Sequence, residues 1–404
     1  MLCQFSVTNF RSIKNKITLD MQAASITDHE KEIINELDGE KFLPLAVLYG
    51  PNAGGKTTVL DALFMLYFKV MIPVLVAAGK HKGGMPREVE CFKFSKENCK
   101  MPTEFDLFFR TETSEYRYQL HLDKKLINYE SLNKKLINGK RETELYTRTE
   151  NNVEFKSNFK KINVKEVNDS LPILSFLMMT QKNNDVIKDI EDWFIKKLTF
   201  ISFNVEGDFL ELPSSGKFKK IYMSMLQEMN LGVSDYIIEE KEKQKDDIYT
   251  IHIINNKKYK LELEKESDGT LKIMEVLPPI IRALDLGGTL IMDELDAKLH
   301  PVLLKYIINL FRKPISNPNK AQLIFTSHDM STMSNELFRR DEIWFVAKNN
   351  EESTEIYSLI DIKGSNEKTP RKDAKFDKQY LEGKFGADPY LNKMINWGEY
   401  YERS

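Results

Sequence analysis

The chain has 404 residues, 41% of them apolar, and a formal net charge of −2. That is enough for more than one domain and a large core, and too little charge of one sign for a general polyanion binder. The cysteines Cys3, Cys91 and Cys99 match no zinc spacing, and an odd count opposes a disulfide scaffold, so they read as ordinary thiols in a reducing cytoplasm.

Residues 2–21 alternate loosely and predict two short strands around a turn at Arg11–Asn15. The opening has no basic start followed by an apolar core, so it is not a signal peptide. Leu43 to Tyr49 predicts an apolar strand, then a Gly-rich loop, then a helix from Thr57. The apolar run Val59 to Ala78 holds Asp61, Lys69 and Pro73, which opposes a membrane span and predicts a helix packed on both sides. A cytoplasmic protein without membrane contact is expected.

Residues 88–156 predict a meander of β-hairpins, with strands near Glu104–Phe109, Tyr116–Leu122 and Glu144–Arg148. KKLIN occurs at 124–128 and again at 134–138, and is read as coincidence in a Lys/Asn-rich chain. Residues 171–235 read as mostly helical, with Trp193 and Phe194 on an apolar face. Ile248–Ile254 and Tyr259–Leu263 predict a hairpin turning at Asn255–Asn256. A helix is expected from Asp268 to Leu284, a strand at Thr289–Met292, a helix at 300–313, and strands at Leu323–Thr326 and Glu342–Ala347. The charged stretch 363–378 is expected to be mobile. No heptad pattern is sustained anywhere, which excludes a long coiled-coil arm.

Four segments carry chemistry. Gly50-Pro51-Asn52-Ala53-Gly54-Gly55-Lys56-Thr57 fits G-x-x-x-x-G-K-[ST], and with Thr58 it forms a phosphate-binding loop. Its glycines let backbone N–H groups approach phosphates, and the helix behind points its positive end at them. Lys56 is expected at the β- and γ-phosphates and Thr57 on Mg²⁺. Leu290-Ile291-Met292-Asp293-Glu294 is an apolar strand ending in two acids. Asp293 suits Mg²⁺, and Glu294 suits a general base on the attacking water. Ser327-His328 follows the next apolar strand, where an imidazole can report a γ-phosphate. Ser267-Asp268-Gly269-Thr270 opens a helix and offers a second small anion site, or only an N-cap.

In this order the motifs resemble the ABC-type ATPases of the SMC, RecF and OLD group. Phe5-Ser6-Val7-Thr8-Asn9-Phe10-Arg11-Ser12 resembles that group's first strand, with Arg11 placed at the nucleotide. Tyr380-Leu381-Glu382-Gly383-Lys384-Phe385-Gly386-Ala387 resembles the C-terminal element of small stand-alone bacterial ATPases linked to abortive infection. The resemblance implies an α/β P-loop NTPase with a mixed central sheet, an antiparallel β lobe and a helical insertion. It divides the chain into lobes 1–170 and 246–404 around an insertion, 171–245. It implies ATP and Mg²⁺ as cofactors, and two sites shared in a head-to-tail homodimer, with a higher oligomer as the alternative. Lys56, Glu294 and His328 would be catalytic. Ser267 and Gly269 would reach the γ-phosphate held by the other subunit. Asp296 would lie in the loop coupling the sites, and Gln181 would attend Mg²⁺.

Departures narrow the function. A Toprim nuclease needs D-x-D, a HEPN ribonuclease R-x₄₋₆-H, and a GTPase N-K-x-D; none occurs. The neutral-to-acidic balance and the resemblance of the C-terminal element favour the sensor ATPase of an anti-phage system, controlling a separate effector such as a nuclease and answering a phage protein. The alternative is a RecF-like repair ATPase that binds DNA. The region 88–235 has no assigned chemistry and is the expected partner surface, with the basic tips Lys124, Lys125, Lys134, Lys135, Lys140 and Arg141.

Overall fold

The computed structural model describes residues 1–81, 88–156, 159, 162, 168–201, 212–239, 247–362, 370–371 and 373–387. The first half opens with β1 (Leu2–Thr8), β2 (Ile17–Asp20), β3 (Ile34–Asn35), β4 (Lys41–Phe42) and β5 (Leu45–Tyr49). Then follow helix α1 (Lys56–Ala77) and the meander β6 (Thr103–Arg110), β7 (Ser114–Asp123), β8 (Leu126–Leu136), β9 (Glu142–Thr149) and β10 (Asn152–Phe155). The second half contains α2 (Ile173–Thr180), α3 (Asp185–Asp192), β11 (Leu198–Ile201), α4 (Gly216–Glu228), β12 (Asp235–Glu239), β13 (Asp247–Ile254) and β14 (Lys257–Glu262). It continues through α5 (Asp268–Leu286), β15 (Thr289–Met292), α6 (Pro301–Arg312), β16 (Gln322–Thr326), β17 (Ile343–Lys348), β18 (Thr354–Ser358) and α7 (Phe376–Leu381).

Two large sheets face each other across α1. The first is antiparallel, ordered β10-β9-β8-β7-β6-β1-β2; the second is mixed, ordered β11-β15-β16-β5-β17-β18, with only β18 antiparallel to its neighbour. The central strands of the second sheet are buried on both faces, which is why they read as continuous apolar runs rather than alternating ones. Side chains alternate all the same. Ala46, Leu48, Ile291 and Ile324 join α1 and the antiparallel sheet in one core, while Leu45, Val47, Leu290 and Leu323 join α5 and α6 in the other. By length and hydropathy α1 could cross a bilayer, but here its residues are mostly buried between the two sheets.

One expectation needs correction, and others are extended. The stretch 171–235 is not helical throughout: after α3 and a π-helical turn at Trp193–Lys197, β11 becomes the edge strand beside β15. Four residues after two lysines are too few to show a strand period. β12 extends the predicted hairpin to three strands, and β18 closes the far edge of the mixed sheet. The two KKLIN runs play different parts, in keeping with coincidence: the first turns from β7 into β8, and the second ends β8. Trp193 and Phe194 are buried as predicted, Trp193 stacking on Phe109 at 4.2 Å between centroids. In the C-terminal element Tyr380 stacks on Phe345 of β17, and Phe385 packs against the same ring at a tilt. Of the stretch expected to be mobile, 363–369 and 372 lie outside the described residues.

Candidate functional site

β15, β16 and β5 lie side by side and parallel, so the segments leaving their C-terminal ends meet on one edge of the sheet. The phosphate loop leaves β5, Asp293–Glu294 leaves β15, and Ser327–His328 leaves β16. They surround a cavity of about 310 Å³ that is lined by Asn52 to Thr58, Asp293, Glu294 and His328, and also by Ser12 and Lys348.

The loop is glycine-rich for reasons visible in its surroundings. A Cβ on Gly50 would lie 2.0 Å from the Val346 carbonyl oxygen, and one on Gly55 (φ 107°) would lie 2.2 Å from Thr354 Oγ1. The backbone is therefore pressed against β17 and β18, and the side facing the cavity is left as bare peptide. Lys56 is 6% exposed; its Nζ donates to the carbonyls of Gly50 at 2.8 Å and Pro51 at 3.1 Å. Burial holds its ammonium below the ordinary lysine range, against the pull of Asp293, Glu294 and Asp296.

Asp293 is held on both oxygens. Thr57 Oγ1 donates to Oδ2 at 2.8 Å, and Thr326 Oγ1 donates to Oδ1 at 2.6 Å. Thr326 Oγ1 in turn accepts from the Glu294 N–H at 2.7 Å. Glu294 has φ 48°, an uncommon conformation for a non-glycine, and its half-exposed carboxylate stands 3.8 Å from His328 Nε2. Asp296 Oδ2 accepts from the N–H groups of His328 and Asp329 at 2.8 and 2.9 Å; its Oδ1 is buried without a partner among the described residues. A threonine hydroxyl and a carboxylate within hydrogen-bond reach, beside a bare-peptide cradle with a lysine, are the hard oxygen donors and cation that suit Mg²⁺ and polyphosphate.

Residues 45–334 match the model of a family described as AAA domain, putative AbiEii toxin, type IV TA system. The chain belongs to that family. The comparison with curated proteins finds no match. Among solved structures the chain is similar to an SMC head bound to the C-winged helix domain of ScpA. That likeness has 14% identity and a TM-score of 0.44, and covers 89% of this chain and 97% of the other. It is also similar to the SMC head domain from Thermotoga maritima, at 14% identity and a TM-score of 0.39, covering 89% and 98%.

Not every residue singled out in this AAA-family chain comes to the cavity. Arg11 has its own φ of 48°, forms an ion pair with Asp61 one turn beyond Thr57, and lines a different cavity, of about 580 Å³; its neighbour Ser12 lines the phosphate-loop cavity instead. Gln181 ends α2, where its side chain meets Thr180 at 3.5 Å, and it does not line the cavity. The residues that leave β11, 202–211, lie outside the described residues. Ser267 is the N-cap of α5: its Oγ accepts from the Thr270 N–H at 3.2 Å. Neither Ser267 nor Gly269 lines the cavity. This helix start faces the loop after Asp296 instead, with Lys298 Nζ 3.2 Å from Asp268 and the Lys298 carbonyl 3.4 Å from a Cβ built on Gly269. Sequence reasoning gave no role to Thr326, although it precedes Ser327-His328 directly. Thr354, which packs against Gly55 and donates to the Gly54 carbonyl at 3.2 Å, had no signal at all.

Proposed function

We propose that this protein binds ATP with Mg²⁺ and hydrolyses it, through two sites that each draw residues from two chains in a head-to-tail homodimer. The reading is supported above all by one arrangement: Lys56, Thr57, Asp293, Glu294 and His328 line or border a single cavity, while Ser267 and Gly269 of the same chain do not.

Lys56 exchanges its two loop carbonyls for the β- and γ-phosphates, a point charge meeting a polyanion. Thr57 and Asp293 would hold Mg²⁺, whose charge neutralises the phosphate oxygens. Glu294 takes the proton of the attacking water, and His328 holds the γ-phosphate. Ser267 and Gly269 close over the nucleotide of the opposite chain. Asp296 ties the two halves together, because its carboxylate holds the His328 backbone while its loop carries Lys298, the partner of Asp268.

The family description points to a toxin–antitoxin setting, which fits a regulatory ATPase that governs a separate effector protein in the cytoplasm. The β-meander and helices of 88–235 supply the surface for that effector or for a phage trigger.

Mixing two inactive variants tests the shared site. Ser267→Arg is expected to be inactive alone, as is Lys56→Ala, and turnover should return when the two are mixed. Wild-type hydrolysis by Ser267→Arg alone would show that each chain works by itself.

A further inference from the structure

We infer that Cys91 and Cys99 form a thiol–disulfide exchange site that a small-molecule disulfide such as oxidised glutathione closes into an intramolecular bond. Eight residues apart in sequence, their sulfurs stand 2.8 Å apart. Closure asks them to approach by less than about 1 Å, so the backbone need not be rebuilt. The third thiol, Cys3, is buried in a separate small cluster and takes no part.

The site is built to hold that spacing. Asn9, 1% exposed and with φ 56°, clamps the segment from both ends. Its Oδ1 accepts from the Phe92 N–H at 3.0 Å, and its Nδ2 donates to the carbonyls of Asn98 at 2.7 Å and Met101 at 2.8 Å. Cys99 Sγ also reaches the Phe92 carbonyl at 3.5 Å. Both thiols border the 580 Å³ cavity, along with Arg11, Lys93 and Met65, which gives a small disulfide room to enter.

Cys99 is the exposed sulfur and reacts first; burial pushes the Cys91 thiol up to about 11, so it answers second. The Cys99 thiolate attacks one sulfur of glutathione disulfide and releases one glutathione thiolate. Cys91 gives up its proton and attacks Cys99 Sγ, and the second glutathione leaves. The two cysteines lose two electrons and two protons, and glutathione disulfide is reduced to two thiols. The bond fastens the segment whose Glu90 carbonyl accepts from the Arg11 N–H at 2.8 Å, and Arg11 is paired with Asp61 on α1. Oxidation therefore stiffens a strap that leads to the helix behind the phosphate loop. The site does not depend on the nucleotide reading.

The test uses the reduced full-length chain incubated with oxidised glutathione, followed by non-reducing peptide mapping and hydrogen exchange. Wild type should show a Cys91–Cys99 link with no retained glutathione, and slower exchange at the Arg11 and Phe92 N–H groups. Cys91→Ser should keep a stable glutathione adduct on Cys99, and Cys3→Ser should behave as wild type. Wild type that retains glutathione on Cys99, or that keeps both thiols free while Cys91→Ser takes the adduct, would overturn the inference.

Discussion

Glu130 and Asp293 are acids placed by strands of the two facing sheets, and they show the two uses this chain makes of an acid: one enclosed, one at an open edge. Glu130 is fully buried in β8 and sealed. It accepts from Tyr118 OH at 3.0 Å, Tyr146 OH at 2.8 Å, and the N–H groups of Ile173 and Leu174 at 2.7 and 3.0 Å. Burial pushes its carboxyl above the usual range, against those four hydrogen bonds. It bonds three strands of the meander to the first turn of α2, and nothing can reach it. Among the described residues the Asp293 carboxylate has two hydroxyl partners, and it opens on a cavity beside Lys56 and Glu294. A satisfied, enclosed acid serves the fold; one that shares its partners with an open cradle is arranged for a ligand. If that division is right, changes at one acid's surroundings should leave the other's property untouched.

The largest effect is expected at the open end. Glu294→Gln should keep nucleotide affinity and lower turnover by roughly 10²–10⁴-fold, the range for losing a general base. Single-turnover hydrolysis measures it, and an unaltered rate removes Glu294 from that role. Because its side chain is half exposed, the thermal midpoint should stay at the wild-type value.

Lys56→Ala should weaken binding of a fluorescent ATP analogue by about 10²-fold or more, as expected when charge-assisted hydrogen bonds to phosphate are lost. Its two bonds to the loop's own carbonyls contribute little to the fold, so unfolding in urea should change only slightly. A variant that binds normally but melts early would reverse the assignment and make Lys56 a structural lysine.

Glu130→Ala works the other way. It leaves two phenols and two helix-start N–H groups buried without an acceptor, and should cost about 3–5 kcal/mol of stability, measured by denaturant unfolding. Nucleotide affinity of the folded fraction should be that of wild type. If Glu130→Ala instead lost nucleotide and kept its stability, the division between the two acids would be wrong.

The two acids also differ in how far they could be read from sequence. Asp293 is legible because its chemistry fixes a local pattern: an apolar strand, an acidic end, a set spacing to Ser327-His328. The same holds for the Asn255–Asn256 turn, where both residues take positive φ, 51° and 61°, as a two-residue hairpin requires. Glu130 has no such pattern, since its four partners come from β7, β9 and α2, brought together only by the fold. β11 was hidden for a related reason: it becomes a strand through pairing with β15, not through its own four residues, so Gln181, at the end of α2, was singled out without that strand in view. Cys91 and Cys99 escaped because the clamp that joins them is Asn9, more than eighty residues away.

Lys69 sharpens the contrast most finely, because it shares α1 with Lys56. In the sequence it counted against a membrane span; in the fold it is 4% exposed, and burial lowers its ammonium to about 8 from 10.5. Lys125 nearby lowers it further, while Glu88, itself paired with Lys125 at 3.1 Å, pulls it up. Lys56 has two carbonyl acceptors and a cluster of acids; no side-chain hydrogen bond of Lys69 is seen among the described residues. Between pH 8 and 10.5 the unfolded chain therefore holds a proton that the folded chain has released, so folding stability should rise with pH across that window. Below pH 8 both states are charged, and the full desolvation cost applies, on the order of 3 kcal/mol. Lys69→Met keeps the length and removes the charge, so it should be more stable than wild type at pH 7, and the gap should close as pH approaches 10.5. Urea unfolding of both proteins across this range decides it. Parallel curves would mean that Lys69 reaches water in solution and that its burial is not what separates it from Lys56.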